Sequence, residues 1–328
     1  MSKISLLDQR ILESWDQMGV PGMAVAIVDA GKLIYSNAFG NLSLDAPLAV
    51  ASLSKPVFAF AVLKLTEQGL LSLDMPLAEY LSYPYLSNEP RLPLITVRHV
   101  LSHTSGFPNW RDASGLHLLF RPGTAFHYST EGLIYLQAVI EHLLGQTIDR
   151  HLAQKVFEPF GMTSSHLLPE DLSKFLPYLP TETRAYGALS LHTTVSDYAR
   201  FLVEMFRTEP RDEFHLAPAT LSAMLTPQIR VGSQPALSWG LGWGLQHLHG
   251  EVNSFWHWGA RQNLSRCIVI GLPAAQSAVV IFTNHPRGLT ICEEVAQLAL
   301  EYPESFPAFR WLLPAENWRA DGSISPLS

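Results

Sequence analysis

Apolar positions in the opening segment "MSKISLLDQRILESWDQMGV" recur at Leu7, Ile11, Trp15 and Met18. That spacing predicts an amphipathic helix with one face on a core. The period then changes. "MAVAIVDAGKLIYSNAFG" alternates and breaks at Asp29-Ala30-Gly31, which predicts two antiparallel strands around a tight turn. A helix is expected from near Ser52 to about Gly69, and the helical period continues to about residue 225 between loops rich in Pro and Gly. Its segments are "ITVRHVLSH", "STEGLIYLQAVIEHLLG", "TIDRHLAQKVFEPFG" and "TVSDYARFLVEMFR", the second closed by Gly145 as a C-cap. Strand character returns in "LSWGLGWGLQHLHG", "SFWHWGA", "SRCIVIGL" and "SAVVIFTN", followed by a last helix, "TICEEVAQLALEY". Beyond Pro303 no period is visible, and residues 304–328 read as a surface-wrapping tail.

Strands at both ends with helices between them predict an α+β fold. Residues 1–50 and 226–303 build one antiparallel sheet domain flanked by the terminal helices, and 51–225 form a mainly helical domain. A cleft between the two parts is the expected place for a ligand. The uncharged run "CIVIGLPAAQSAVVIFTNH" has the composition of a membrane span, but Gly271, Pro273 and Gln276 divide it into two buried strands. Asp8, Arg10, Glu13 and Asp16 interrupt the apolar core a signal peptide would need, so a soluble, cytoplasmic protein is expected.

Composition narrows the function classes. The chain has 328 residues, 47% of them hydrophobic and 16% charged, which fits a folded protein with a sizeable core. Its net charge of -7 and lack of a Lys/Arg-rich run exclude a nucleic-acid binder. Cys267 and Cys292 have neither metal nor redox spacing and read as buried free thiols. No cofactor or metal is called for, a small molecule is the expected partner, and oligomeric state is left open. Neither G-x-S-x-G nor a P-loop pattern occurs.

The candidate chemistry starts in "AVASLSKPVFAFAVLKL". Of six lysines only Lys55 has a serine three residues before it, Ser52. A helix starting there puts both on one face, and Pro56 is tolerated in the first turn. Helix N–H groups and the dipole favour an oxyanion, while a buried lysine has its pKa lowered and becomes available as a base. The ordinary alternative is a serine N-cap followed by an unremarkable lysine. Context decides between them.

Downstream, "RPGTAFHYSTEGLIYL" places Tyr128-Ser129-Thr130 in a turn before a helix, and "FWHWGARQN" places His257-Trp258-Gly259 at a strand end. With "VPGMAVAIVDAGKLIYSNAFG", "ITVRHVLSHTSGFP", "VFEPFGMTSS", "GALSLHTTVSDYARFL" and "WGLGWGL", the chain resembles the serine β-lactamase-like superfamily over about residues 18 to 300. The branch it resembles holds class C β-lactamases, D-aminopeptidases, penicillin-binding-protein-like hydrolases and family VIII esterases. The resemblance implies a β-lactamase/transpeptidase-like fold and a serine hydrolase acting on carboxylic esters or small amides and peptides. It implies that Ser52 is the acylated nucleophile and that Lys55 and Tyr128 share proton transfer, with the choice of base between them open. It further implies that His257 touches substrate or leaving group. Gly259 belongs to the same third motif, and the backbone N–H groups of Ser52 and Ala260 would form the oxyanion hole.

Two departures bear on the substrate. Thr130 stands where the family often has an asparagine that holds a substrate amide. His257 replaces a lysine that attracts carboxylates. Both steer the expectation towards esters, with a D-aminopeptidase or weak β-lactamase as the alternative, and a non-catalytic binding protein as the competing class. Arg261 either restores a positive charge or is a solvated arginine at a strand turn, and the second reading is adopted. The segment from Gly40 to Ser52 is shorter than the family's, which questions the strand entering the nucleophile helix. Trp258 is assigned to an acyl pocket. His99 and His103, at metal-compatible spacing, are read as loop-packing residues.

Overall fold

The computed structural model describes residues 3–313, except 83–85, 87–88, 175, 210–211 and 263. Helix α1 spans Lys3–Met18 and buries Leu7 and Ile11. The side chains of Trp15 and Met18, which complete the predicted stripe, lie outside the described residues. Strands β1 (Gly22–Asp29) and β2 (Lys32–Gly40) pair antiparallel around Ala30-Gly31, as the alternation predicts. After a two-residue strand β3 (Leu48–Ala49), α2 runs Ser54–Glu67. The helical part continues with α3 (Val97–Leu101), α4 (Glu131–Leu144), α5 (Ile148–Leu152), α6 (Val195–Met205) and α7 (Pro218–Met224). Gly145 ends α4 with φ +62, the left-handed cap that only glycine adopts without Cβ strain. Short strands β4 (His166–Leu167) and β5 (Leu191–Thr193) join β3 in a separate three-stranded sheet. The shortened entry to α2 therefore still pairs, through β3.

Strands β6 (Ile229–Arg230), β7 (Leu237–Trp239), β8 (Gly244–Leu248), β9 (Glu251–Arg261), β10 (Ser265–Leu272) and β11 (Ser277–Thr283) complete the main sheet. Among the described residues its eight strands are ordered β2-β1-β11-β10-β9-β8-β7-β6, and every pairing is antiparallel. The turn at Pro273–Ala275 divides the long apolar run into β10 and β11. No helix among the described residues is long and apolar enough to cross a membrane.

Both faces of the central strands are buried, which explains their nearly unbroken apolar runs. Met23, Val25, Ile27, Ile268, Ile270, Val279 and Ile281 face α1 and helix α8 (Leu289–Leu300). The alternate residues Ala24, Ala26, Val28, Ala278, Val280 and Phe282 face the helical part. Helix α6 lies against this second face at β1 and β11, where Ala24, Ala26 and Ala278 leave room for its approach. Each fully buried Val, Ile or Phe contributes roughly 1.5–3 kcal/mol.

The expectation of a patternless tail after Pro303 fails at its start. Residues Pro307–Leu312 form helix α9, with Ala308, Phe309, Trp311 and Leu312 at most 2% exposed. Six residues are too few to show a period. Trp311 packs edge-on to Trp256 and Trp258 of β9, 5.6 and 5.1 Å between ring centroids. Residues 314–328, the remainder of the predicted tail, lie outside the described residues.

Candidate active site

Ser52 sits in the tight turn Ala51–Leu53 that leads directly into α2. Ala51 has φ +46, a left-handed conformation that is costly for alanine and must be imposed by its surroundings. Four hydrogen bonds hold the turn. The Leu53 N–H donates to Val50 O at 3.1 Å, the Tyr198 hydroxyl donates to Leu53 O at 2.9 Å, and Ser54 Oγ donates to Ala51 O at 2.5 Å while accepting from Leu191 N at 3.1 Å. From the other side Gly259 of β9 lies against the same turn, where a Cβ would stand 1.9 Å from Val50 O.

Lys55 follows one turn later and is 1% exposed. Its Nζ lies 2.9 Å from Ser52 Oγ and 3.1 Å from Ala188 O. Burial lowers its pKa to about 7. The amine also lies 5.2 Å from the centre of the Tyr128 ring, which brings the second motif to the first. Tyr128 is 5% exposed, and its hydroxyl is buried without a hydrogen-bond partner among the described residues. Burial pushes the phenol well above its usual pKa; Ser52 pulls the other way, although the two hydroxyls complete no hydrogen bond. The buried hydroxyl is the kind of unsatisfied group that a bound substrate would complete.

His103 takes a role the sequence did not assign. Its ring packs 4.3 Å from Tyr128, and Nδ1 accepts from Ser129 N at 3.1 Å. Burial, followed by the Lys55 charge, holds its pKa well below the usual histidine value, so it is a neutral wall for the phenol. His99 instead accepts from Thr96 N at 3.3 Å in the capping box of α3.

The third motif divides. Trp258 and Ala260 line a cleft together with Ser52, Tyr128 and Thr130. His257 does not line it: the residue is 0% exposed, Nδ1 donates to Trp258 O at 2.8 Å, and Nε2 is buried with no partner among the described residues. The expectation of a direct substrate contact is therefore corrected. Residues alternate across β9, so with Trp258 turned one way His257 turns the other, towards Lys55. Burial, with the Lys55 charge second, lowers its pKa to about 3, leaving it neutral. Gly259 contributes only the close approach of its backbone.

Thr130 is buried but does not stand alone. Both its backbone N–H, at 3.1 Å, and its hydroxyl, at 2.9 Å, donate to Oδ1 of Asn109. A backbone N–H can only donate, so the oxygen of Asn109 is fixed on Thr130 and its amide nitrogen is the end left for the cleft it lines. Behind it the buried pair Arg111–Glu131, 2.8 Å apart, ties this loop to the first turn of α4. Leu172, Leu176, Leu189 and Trp110 line the rest of the cleft with apolar surface. Arg261 is not solvated as read from the sequence. It is bound to Glu170 in the cleft wall, with Nη2 to Oε2 at 2.6 Å.

Asn109 and Glu170 belong to no motif in the sequence. Asn109 carried a faint signal, since "FPNW" extends a segment already singled out. Glu170 carried none, because it lies in an irregular stretch far along the chain from its partner.

Comparison with known proteins matches residues 7–301 to the Beta-lactamase family. Penicillin-binding protein 4* of Bacillus subtilis is 23% identical over 283 residues, covering 68% of this chain and 59% of that protein. Esterase EstB of Burkholderia gladioli is 30% identical over 199 residues, covering 47% of this chain and 50% of that protein. The chain thus matches between half and three-fifths of the length of these two relatives. Among solved structures, the octameric penicillin-binding protein homologue from Pyrococcus abyssi superposes with a TM-score of 0.72 at 20% identity. That match covers 91% of this chain and 77% of the other, and shows a shared β-lactamase/transpeptidase-like fold. With the fold, the converged serine, lysine and tyrosine, and a family match over nearly its whole length, this chain belongs to the beta-lactamase family of serine hydrolases.

Proposed function

We propose that the protein is an esterase that forms an acyl-enzyme on Ser52 and hydrolyses carboxylic esters with apolar acyl groups. The observation that carries this is the buried Lys55 amine 2.9 Å from Ser52 Oγ, with a pKa lowered to about 7 by desolvation. A neutral amine takes the Ser52 proton as Oγ attacks the acyl carbonyl. The carbonyl oxygen becomes an oxyanion held by the backbone N–H groups of Ser52 and Ala260. Tyr128, whose phenol burial keeps protonated, relays a proton to the departing alcohol oxygen, and the C–O bond to the alcohol breaks. Water then attacks the acyl-Ser52 ester, gives up a proton along the same route, and releases the acid. With the lysine pKa down and the tyrosine pKa up, Lys55 is the base and Tyr128 the proton donor. The apolar lining favours esters over substrates that need a carboxylate held. The Asn109 amide is placed to receive the acyl carbonyl region that an asparagine at position 130 would otherwise meet.

Intact-mass measurement after brief exposure to a fluorophosphonate or an activated ester tests the assignment. The native protein gains one adduct, and Ser52→Ala gains none. Equal labelling of that variant removes the proposal. In a panel of p-nitrophenyl esters, D-amino-acid amides and nitrocefin, esters turn over fastest; preference for nitrocefin reverses the substrate order.

The pH dependence follows from the same group. Hydrolysis of a neutral ester rises as pH increases through about 7, because the ammonium form of Lys55 is inactive. Below that pH, kcat/KM falls about tenfold per pH unit. Tyr128 adds no downturn up to pH 9, so the profile is a rise to a plateau. A bell centred near pH 7 contradicts this assignment.

A further inference from the structure

Arg261 and Glu170 are the only residues with formally charged side chains among the described residues lining the cleft. An arginine beside a nucleophile is ordinarily a carboxylate-binding group, because its planar fork matches two oxygens. Here Glu170 takes one arm of that fork and partners its charge. Glu170 Oε2 accepts from Arg261 Nη2 at 2.6 Å, and Oε1 accepts from Ser190 Oγ at 3.0 Å. The Glu170 backbone is fixed in turn, exchanging hydrogen bonds with Arg184 at 2.9 and 3.2 Å. Arg261 projects from the end of β9, two residues past Gly259, while Glu170 comes from the loop after β4, 91 residues away in the chain. Both side chains are largely withdrawn from solvent, 25% and 13% exposed, so the pair is a built part of the cleft wall.

We propose that Glu170 is the residue that sets the charge of the substrate: by occupying Arg261 it makes the cleft select neutral acyl groups over carboxylate-bearing ones. This rests on the esterase reading above and specifies its substrate class. A carboxylate on the acyl chain would have to displace Glu170 from Arg261 and then face it unpaired. A neutral apolar acyl group meets Trp110, Leu172, Leu189 and Trp258 and leaves the pair intact.

The test compares p-nitrophenyl butyrate with mono-p-nitrophenyl glutarate, an ester of similar length carrying one carboxylate. The native protein prefers the butyrate. Glu170→Gln shifts the ratio of kcat/KM values towards the glutarate by about tenfold or more, the scale of one freed charge-assisted hydrogen bond. High salt shrinks that gain, since part of it is an attraction between charges. The double variant Glu170→Gln/Arg261→Gln loses the gain. An unchanged ratio in Glu170→Gln, or a gain that survives in the double variant, overturns the proposal. Should Glu170→Gln fail to fold, Arg261→Gln serves alone: it leaves Glu170 unopposed and widens the preference for butyrate, and an unchanged preference there is equally decisive. Calorimetric titration with free glutarate needs no turnover, and Glu170→Gln binds it about tenfold more tightly than the native protein. If the native protein hydrolyses neither ester, the esterase reading fails, while this titration still decides the role of Glu170.

Discussion

Replacing Lys55 with methionine is expected to cut ester hydrolysis by about 10²–10⁴-fold, the usual contribution of a positioned base. The same change is expected to make the protein more stable at pH 7. Methionine fills a similar volume and is at ease in an apolar site. Native Lys55 is 1% exposed with no carboxylate against it among the described residues, and burial takes its pKa from 10.5 to about 7. Between those two values the unfolded chain binds a proton there that the folded one does not. Native stability therefore rises with pH across about 7 to 10.5, and the penalty is largest below about pH 7. At about 1.4 kcal/mol per pH unit the full penalty is of the order of 5 kcal/mol. Urea unfolding of both proteins at pH 7 and pH 10 checks this. The advantage of Lys55→Met should be largest at pH 7 and shrink towards pH 10, and equal advantages at both would show the amine is not desolvated. Loss of activity with gain of stability is the signature of a functional group kept at a structural cost.

A second large effect is expected at Gly259, which touches no substrate. In Gly259→Ala the new Cβ would stand 1.9 Å from Val50 O, 3.0 Å from Val50 C and 3.3 Å from Leu53 N. All three are backbone atoms, so no side chain can swing away. Either β9 moves off the sheet or the turn carrying Ser52 moves off β9. The cost is about 3 kcal/mol or more, which lowers Tm by about 4 °C in a chain of this length. The turn is the less constrained partner, because β9 is paired along both edges by β8 and β10. Ser52 should thus shift away from Ala260, and hydrolysis should fall by about 100-fold or more as an oxyanion contact is lost. Thermal unfolding and kcat measured on the same preparation check this. Native Tm and native turnover together would mean that the strand and the turn are not in contact.

The parts of this site that the sequence revealed are those whose geometry is local. Ser52 and Lys55 are placed by the turn and helix start they share, whereas Tyr128 was singled out through the family resemblance, since its meeting with Lys55 is a contact between distant segments. The long strands were legible because burial on two faces leaves unbroken apolar runs with turn residues between them. His257 was misjudged because a motif names a residue without saying which way an alternating strand turns it. The Arg261–Glu170 and Thr130–Asn109 pairs were invisible for another reason: each joins the end of a regular element to an irregular loop, and no periodicity records which loop residue arrives there. Helix α9 was missed because its apolar residues were fitted to tryptophans of β9 rather than to a repeat.

The pairing of β1 with β11 has a consequence for how the chain is made. Ser277, at the start of β11, hydrogen-bonds Asp29 at the end of β1, its partner 248 residues earlier. On a ribosome adding about 5–20 residues per second, the first hairpin waits roughly 12–50 s for the strand that covers its open edge. Until then its backbone is exposed to any other nascent strand, so a pause late in translation would lengthen the period of greatest aggregation risk.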